Sequence, residues 1–218
     1  MSDSDSFIEE VTEEVRRDRL FALMRRYGWI PILLVILIVG GTAWREYTKA
    51  AQITQAQTFG DAILNALEAD APEDRVTALE AVQADTPGGA AILRLLTASE
   101  AGSSGDDAAA VAALQAVAND AEVPQIYRQI ASYKALTRGT ETLSVGDRRS
   151  GLEALAIPGQ PLRLLAEEQL ALLEVETSET EAALARLARI VEDAEATAGL
   201  RRRASQLIVA LGGTPAGG

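Results

Sequence analysis

One stretch of eighteen residues without a charged side chain constrains this sequence more than any other feature. It runs from Tyr27 to Trp44 and reads YGWIPILLVILIVGGTAW. As a helix it would be about 27 Å long at roughly 1.5 Å per residue, close to the thickness of the hydrocarbon core of a bilayer. The stretch therefore predicts a single transmembrane helix over residues 27–44.

Aromatic residues stand at both ends of this predicted span, with Tyr27 and Trp29 at one end and Trp44 at the other. Amphipathic aromatic rings prefer the headgroup level of a bilayer, so these three are predicted membrane-interface residues. Two alternatives are a buried core helix of a water-soluble protein and a cleaved signal peptide with its cut near Ala43. A signal peptide begins with a short basic region. Because the long segment over positions 1–26 precedes this span and is rich in acidic side chains, an uncleaved signal anchor is favoured.

The basic residues around the span predict its orientation. Only Arg45 and Lys49 are basic in the 25 positions after it, whereas five arginines precede it: Arg16, Arg17, Arg19, Arg25 and Arg26. Basic residues near a span concentrate on its cytoplasmic side. We therefore expect a single-pass protein of the bacterial inner membrane, with its N-terminus in the cytoplasm and its C-terminal domain in the periplasm.

Residues 1–26 are predicted to form a cytoplasmic amphipathic helical segment. Ser6-x-x-Glu9 is a capping box, and apolar residues follow it at helical spacing from Phe7 to Tyr27. The apolar stripe fits binding to the membrane surface or to a partner. It equally fits a helical extension of the span that has no partner.

Residues 45–211 predict a row of short helices. Aromatic residues, which favour strands, make up only 4% of the chain. Breaks rich in Pro and Gly, at positions 71–72, 86–89, 102–105 and 158–161, separate helical stretches of about 10–20 residues. After a first helix that continues from the span, we expect helices over about 72–84, 90–101, 106–119, 124–139, 146–155, 161–175, 178–193 and 197–211. The capping box Ser178-x-x-Glu181 is expected to start the eighth of these nine helices. Residues 212–218 are expected to be a disordered tail.

A weak internal repeat relates the two parts of this helical region. The segment Leu93-Arg94-Leu95-Leu96 recurs as Leu162-Arg163-Leu164-Leu165, and Asp120-Ala121-Glu122 recurs as Asp193-Ala194-Glu195. We call the alignment that places Asp120 on Asp193 the repeat register. Three apolar positions also match in that register: Val111, Leu114 and Val117 with Leu184, Leu187 and Ile190. A period near 70 is about twice the 34-residue tetratricopeptide unit. We predict an all-α tetratricopeptide-like solenoid of antiparallel hairpins, with an irregular helical bundle as the alternative.

The order of these features resembles the YfgM-like family. Tyr27-Gly28-Trp29 opens the uncharged span, Trp44-Arg45 closes it, and a long helix carries Phe59-Gly60-Asp61-Ala62 before degenerate hairpins. The segments 89–95 and 158–163 resemble the hairpin starts of that family. The resemblance implies a single-span inner-membrane protein whose periplasmic tetratricopeptide-like domain associates with the Sec translocon and periplasmic folding factors. A cell-division-coordinator role is also described for this type of protein. The chain departs from the family pattern in its longer, acidic and Arg-rich N-terminal segment.

The composition excludes several chemistries. With no cysteine and no histidine, the chain has no disulfide, no Cys/His zinc site and no histidine general base. A formal net charge of -12 argues against nucleic-acid binding. Four adjacent carboxylate pairs are candidates for acid–base chemistry only if they are buried together: Glu9-Glu10, Glu13-Glu14, Asp106-Asp107 and Glu167-Glu168. We expect no enzymatic activity, catalytic residue, metal, cofactor or small-molecule substrate.

Protein binding is the function that the sequence favours. Consecutive hairpins form a concave surface, and Tyr127, Arg128 and Tyr133 on the fifth expected helix are candidate groove residues. Packing of either tyrosine in the core is the alternative. The run Arg201-Arg202-Arg203 fits contact with an anionic lipid or acidic partner, or a solvated face. We predict a membrane-anchored periplasmic scaffold for the Sec translocon and periplasmic chaperones. A structural subunit of another inner-membrane complex and a carboxylate-based enzyme are the alternatives.

Overall fold

The structure is a computed structural model. It describes residues 25–26 and 29–214, with all of their side chains except those of Pro31 and Ile32. Nine helices follow one another from Trp29 onward, and no strand occurs in this described part. They are α1 (Trp29–Leu67), α2 (Pro72–Ala81), α3 (Pro87–Ser103), α4 (Asp107–Ala118), α5 (Gln125–Arg138), α6 (Val145–Leu155), α7 (Arg163–Glu176), α8 (Thr180–Glu192) and α9 (Ala198–Ala210).

The chain divides into two compact units, Met1–Thr58 and Phe59–Gly218. This boundary lies further along the chain than the expected one between the span and the domain, at residues 44 and 45. In the first unit, helix α1 leaves its apolar side chains exposed at every position from 33 to 39. Trp44 and Tyr47 are also exposed, by 71% and 72%.

Across the residues that the structure describes, we find no helix whose length and apolar character together suffice to cross a membrane.

Several predictions fall on positions outside the described residues. They concern residues 1–24 of the predicted helical segment 1–26, with its Ser6–Glu9 capping box and its two carboxylate pairs, and the interface residue Tyr27. They also concern Arg16, Arg17 and Arg19, three of the five arginines expected to set the topology. The other two, Arg25 and Arg26, are described and are helical.

The second unit is built by sequential packing. From α2 to α9 each helix packs against the next along the chain, and α3 also contacts α5. The apolar core is accordingly divided into four clusters, each contributed by three consecutive helices: α1–α3, α3–α5, α5–α7 and α7–α9. A row of local cores is the hallmark of a helical-repeat solenoid, so the predicted architecture of this unit is confirmed.

Small side chains lie at the helix crossings. Six alanines have no exposed surface at all: Ala91, Ala110, Ala131, Ala166, Ala183 and Ala204. A methyl group lets two helix backbones approach closely, which explains why an alanine-rich sequence folds into such a stack. Four of these alanines form pairs in the repeat register, Ala110 with Ala183 and Ala131 with Ala204. The internal repeat therefore holds at the level of packing.

The turns that end α3 and α7 are also equivalent. Gly105 follows α3 with φ +87°, and the amide of Asp106 donates to the carbonyl of Ala101 at 2.9 Å. At the equivalent places in the second half, Ser178 has φ +64° and the amide of Glu179 donates to the carbonyl of Glu174 at 2.7 Å. Both are Schellman turns, in which the left-handed residue lets the chain satisfy the last carbonyls of the helix.

The capping box expected at Ser178-x-x-Glu181 is wrong for this reason. Ser178 ends helix α7 instead of starting α8, and the N-cap position belongs to Glu179, which makes no side-chain cap hydrogen bond. The left-handed backbone needed to close α7 is incompatible with the extended backbone of an N-cap residue. The equivalent N-cap in the first half is Asp106, whose side chain accepts the amide of Ala109 at 2.9 Å.

Replacing Ser178 with glycine is expected to stabilise the domain by about 1 kcal/mol, because glycine adopts positive φ without the steric penalty of a Cβ. The midpoint of urea denaturation of the full chain should rise with an unchanged slope. Gly105→Ser, the reverse change at the equivalent turn, is the matched control and should lower the midpoint. A Ser178→Gly variant less stable than the natural chain would contradict the turn assignment.

The end of the domain extends past the predicted boundary at Leu211. Gly212 has φ +82°, and the amide of Gly213 donates to the carbonyl of Ile208 at 2.9 Å. These two glycines close helix α9 in the same manner as Gly105 closes α3, so they are part of the folded domain. The expected disordered tail covers 212–218, of which residues 215–218 lie outside the described part.

Candidate protein-interaction site

An arginine and an aspartate tie each half of the repeat together. Arg94 on α3 donates to Asp120 after α4 at 3.2 Å, and Arg163 on α7 donates to Asp193 after α8 at 2.8 Å. In each loop the aspartate also accepts an amide two residues on, at 3.0 Å from Glu122 and 2.8 Å from Glu195. The amide of Glu195 and the guanidinium of Arg163 hold the pKa of Asp193 below its ordinary value. The two sequence motifs that define the repeat therefore meet in space.

The arginines and the aspartates do not follow the same register, and the difference has a simple geometry. The step from Arg94 to Arg163 is shorter than the step from Asp120 to Asp193 by about four residues, or one helical turn. Helix α3 begins seven positions before its arginine, whereas α7 begins at Arg163 itself. Helix α7 has its additional turn on the C-terminal side of the arginine. Both halves therefore have the same contact between an arginine and an aspartate, although the helix that carries the arginine is shifted by one turn between the two halves.

The first half contains an open groove between α2, α3 and α4, which we call the alanine groove. Its volume is about 410 Å³, within the range of ligand-binding clefts. Three of its lining residues are polar: Glu80, Arg94 and Thr97. The others are apolar and mostly small: Leu79, Val82, Ala84, Ala90, Leu93, Ala113 and Ala116.

The equivalent place in the second half has a smaller cavity. A cavity of about 160 Å³ lies there, lined by residues that include Arg163, Arg186 and Arg189. In the repeat register Arg186 and Arg189 stand where the first half has Ala113 and Ala116. The larger groove is therefore lined by two alanines at the positions where two arginines line the smaller cavity.

A charged network replaces apolar positions in the second half. Glu174 is only 4% exposed, and the guanidinium of Arg186 donates to it with its shortest contact at 2.7 Å. Arg186 also donates to Glu167. The hydrogen bonds to Glu174 raise the pKa of Arg186. The first half has Ala101 and Ala113 at the positions of Glu174 and Arg186, so neither member of the ion pair has a charged counterpart there.

A second ion pair joins α7 to α9. Glu168, 6% exposed, accepts two hydrogen bonds from Arg203, each at 2.7 Å. These bonds raise the pKa of the Arg203 guanidinium. The equivalent residues in the first half are Leu95 and Ile130. The charged pair therefore again stands in place of two apolar side chains.

A second cavity, of about 380 Å³, lies between α3, α4 and α5. Its lining includes Lys134 and the ion pair of Arg138 with Asp107, whose atoms are 2.6 Å apart. Arg138 lies so close over Gly102 that a Cβ at that glycine would be 1.9 Å from its guanidinium. A larger residue at position 102 would therefore require the end of the Arg138 side chain to move.

The structure does not gather the three predicted groove residues into one groove. Tyr127 packs against the cluster of α3–α5, whereas Tyr133 packs against the cluster of α5–α7. Burial raises the pKa of Tyr133, against the opposing effect of a hydrogen bond with Gln169. Arg128 lies between them in sequence, and its Nε is buried with no hydrogen-bond partner among the described residues. A binding role for these three residues stays a prediction.

The other charged candidates serve internal contacts. In the run from 201 to 203, Arg201 donates to the carbonyl of Asp193 at 3.1 Å and Arg203 is paired with Glu168. Of the paired carboxylates, Glu167 and Glu168 are held by different arginines, Arg186 and Arg203. In the described part of the chain no group of acidic side chains is arranged to hold a metal ion.

Sequence reasoning did not find the alanine groove. Its floor comes from three helices, and alanine gives no chemical signal of its own. The one signal in the sequence is the repeat register, which aligns Ala113 and Ala116 with Arg186 and Arg189.

The packing, the turns and the repeated loops define an all-α helical-repeat protein. Residues 24–137 match the family described as Tetratricopeptide repeat-like domain, and the chain belongs to that family. Domains of this kind generally mediate protein–protein interactions and are generally not enzymes. No curated protein and no solved structure shows significant similarity to the chain. Helices α6–α9, beyond the matched residues, repeat the architecture of the matched part.

Proposed function

We propose that this protein is a membrane-anchored interaction scaffold. Residues 27–44 are its anchor, and the repeat domain from Phe59 onward receives protein partners. The domain then faces the periplasm, where its partners are the Sec translocon and periplasmic chaperones, as the resemblance to the YfgM-like family implies. The anchor places the domain at high local concentration beside membrane-bound partners.

The observation that carries the anchor is the continuous apolar surface of α1. All seven side chains from 33 to 39 are apolar and exposed. Seven consecutive positions cover every face of a helix, since about 3.6 residues make one turn. A helix that is apolar all round is stable only inside a protein core or a bilayer. Within the described part of the chain, no other segment covers these side chains, which supports a position of this helix inside a bilayer.

Topology is the first test of this proposal. With a reporter fused after Gly218, the C-terminus is expected to be accessible to protease in spheroplasts and the full-length chain to resist alkaline extraction from membranes. Replacing both Val35 and Leu37 with arginine should release the chain, because arginine at the centre of a span costs roughly 2.5–3.5 kcal/mol each. Gln55→Arg with Thr58→Arg, outside the span, is the control and should remain membrane-bound. A protected, cytoplasmic C-terminus would contradict the proposed orientation.

Partner identity needs a second experiment. Crosslinking from the full chain in intact cells is expected to capture translocon subunits or periplasmic chaperones. Stoichiometric recovery of another inner-membrane complex without the translocon would instead support the structural-subunit alternative. Recovery of neither would contradict the Sec assignment.

A further inference from the structure

We infer that the alanine groove is the docking surface of the domain, and that its occupant is a segment of a partner protein that carries apolar side chains together with basic ones. This inference rests on the proposed scaffold function. It names the surface and the chemistry of the partner.

The two halves of the repeat provide an internal comparison for the groove. In the same helical frame, Arg186 and Arg189 line a cavity of about 160 Å³ in the second half, whereas the groove of the first half measures about 410 Å³. Ala116 is exposed at the rim, as its counterpart Arg189 is. The frame therefore accepts a long side chain at this position, and the groove is not an unavoidable packing defect of the repeat.

Apolar surface remains accessible inside the groove. This surface comes from the lining alanines, which are at least partly exposed, whereas Leu79 and Leu93 form the buried floor of the groove and are only 1% and 8% exposed. Short side chains at Ala84, Ala90 and Ala113 keep space open above them. An inserted leucine or phenylalanine would bury this surface, which is favourable by about 25 cal/mol per Å² of apolar area removed from water.

The charge of the groove selects a basic partner. Arg94 is already paired with Asp120, whereas Glu80 is exposed and has no ion pair with any described residue. The surrounding half of the domain is acidic as well, with five Lys or Arg against twelve Asp or Glu over residues 59–138. Such a field speeds the approach of a basic segment and disfavours an acidic one.

A peptide pair tests the chemistry of the occupant. The probe is a short fluorescein-labelled peptide with two leucines flanked by two lysines, and its match has glutamates in place of the lysines. Binding to the purified full chain in neutral detergent is measured by fluorescence anisotropy, with empty micelles as the blank. We expect the lysine peptide to bind at least about tenfold more tightly than the glutamate peptide, with an affinity that falls as salt rises.

Single substitutions test the location. Ala116→Arg, which installs the residue of the second half, is expected to weaken binding of the lysine peptide at least about tenfold. Gln115→Arg adds the same charge one position away and outside the groove lining, and it should leave the affinity within about twofold. Glu80→Gln is expected to weaken binding about two- to fivefold and to reduce its salt dependence. Positions 115 and 116 are exposed on α4, so neither arginine should disturb folding.

The outcomes separate this inference from the proposed function. Equal binding by Ala116→Arg and the natural chain, or equal losses in Ala116→Arg and Gln115→Arg, would overturn the docking site. Preference for the glutamate peptide would overturn the basic partner. If the topology and crosslinking results hold while the peptide result fails, the scaffold uses another surface. Concentration-dependent self-association abolished by Ala116→Arg would make a second copy of this chain the occupant and would also overturn the inference.

Discussion

Replacing Arg186 with methionine is expected to destabilise the domain by about 3–5 kcal/mol. Arg186 Nε lies 3.0 and 3.1 Å from the two carboxylate oxygens of Glu174, and Glu174 is almost fully buried. Methionine keeps much of the apolar stem of arginine but supplies no charge. Removing one partner of a buried ion pair leaves the other charge desolvated and unpaired, which costs far more than the pair itself contributes. Urea denaturation of the full chain measures the loss.

The first half of the domain suggests the rescue. Glu174→Ala combined with Arg186→Ala recreates the Ala101 and Ala113 found at the equivalent positions, and it should recover most of the lost stability. Arg189→Ala, which removes an exposed arginine from the same helix, is the matched control and should change stability by less than about 0.5 kcal/mol. If Arg186→Met cost less than about 1 kcal/mol, Glu174 would have to be solvated in a way that the structure does not show.

The sequence predicted the helices because the breaks between them are local. Pro72, Pro87 and Gly105 lie at helix starts or ends in the structure, as their backbone preferences require. The repeat was also readable, since buried positions such as Leu114 and Leu187 must stay apolar in both halves. These signals depend on one residue and its neighbours along the chain.

The predictions that the structure does not bear out concern features that depend on more than one residue and its immediate neighbours. Ser178 fits an N-cap by its own side chain, but the carbonyls at the end of α7 required a left-handed residue at that place. Tyr127 and Tyr133 lie on one helix, but α5 packs against α3 and α4 on one side and against α6 and α7 on the other. The two tyrosines therefore belong to different clusters. Whether a helix has a second packed face depends on residues far along the chain.

The candidate site was the least predictable feature. The groove is the space that remains between short side chains of three helices, so no single residue in the sequence indicates it. Ala113 reads as an ordinary helix former in sequence and becomes informative only when the fold aligns it with Arg186. The same is true of the ion pair between Glu168 and Arg203, which are far apart in sequence and meet only because α7 and α9 contribute to one cluster.

Leucine-to-alanine substitutions at equivalent positions offer the second large effect. Leu187 is 1% exposed and Leu114 is 2% exposed, and each belongs to its own three-helix cluster. Truncating a fully buried leucine removes its transfer free energy and leaves a cavity, at a cost of about 3–5 kcal/mol. We therefore expect Leu187→Ala and Leu114→Ala to destabilise the chain by similar amounts in urea denaturation. Gln115→Ala, on the exposed face of α4, is the control and should have almost no effect.

Native-state hydrogen exchange distinguishes a stack of local cores from one global core. In a solenoid each repeat contacts only its neighbours, so a cavity in one cluster weakens that part of the stack first. Leu187→Ala is expected to accelerate amide exchange in α8 and α9 more than in α3 and α4, and Leu114→Ala should do the reverse. Equal acceleration in both halves by either variant would mean that the clusters unfold as one unit. The alanine groove lies entirely in the first half. If the clusters unfold separately, Leu187→Ala should still bind the lysine peptide in the anisotropy assay under conditions in which Leu114→Ala no longer does.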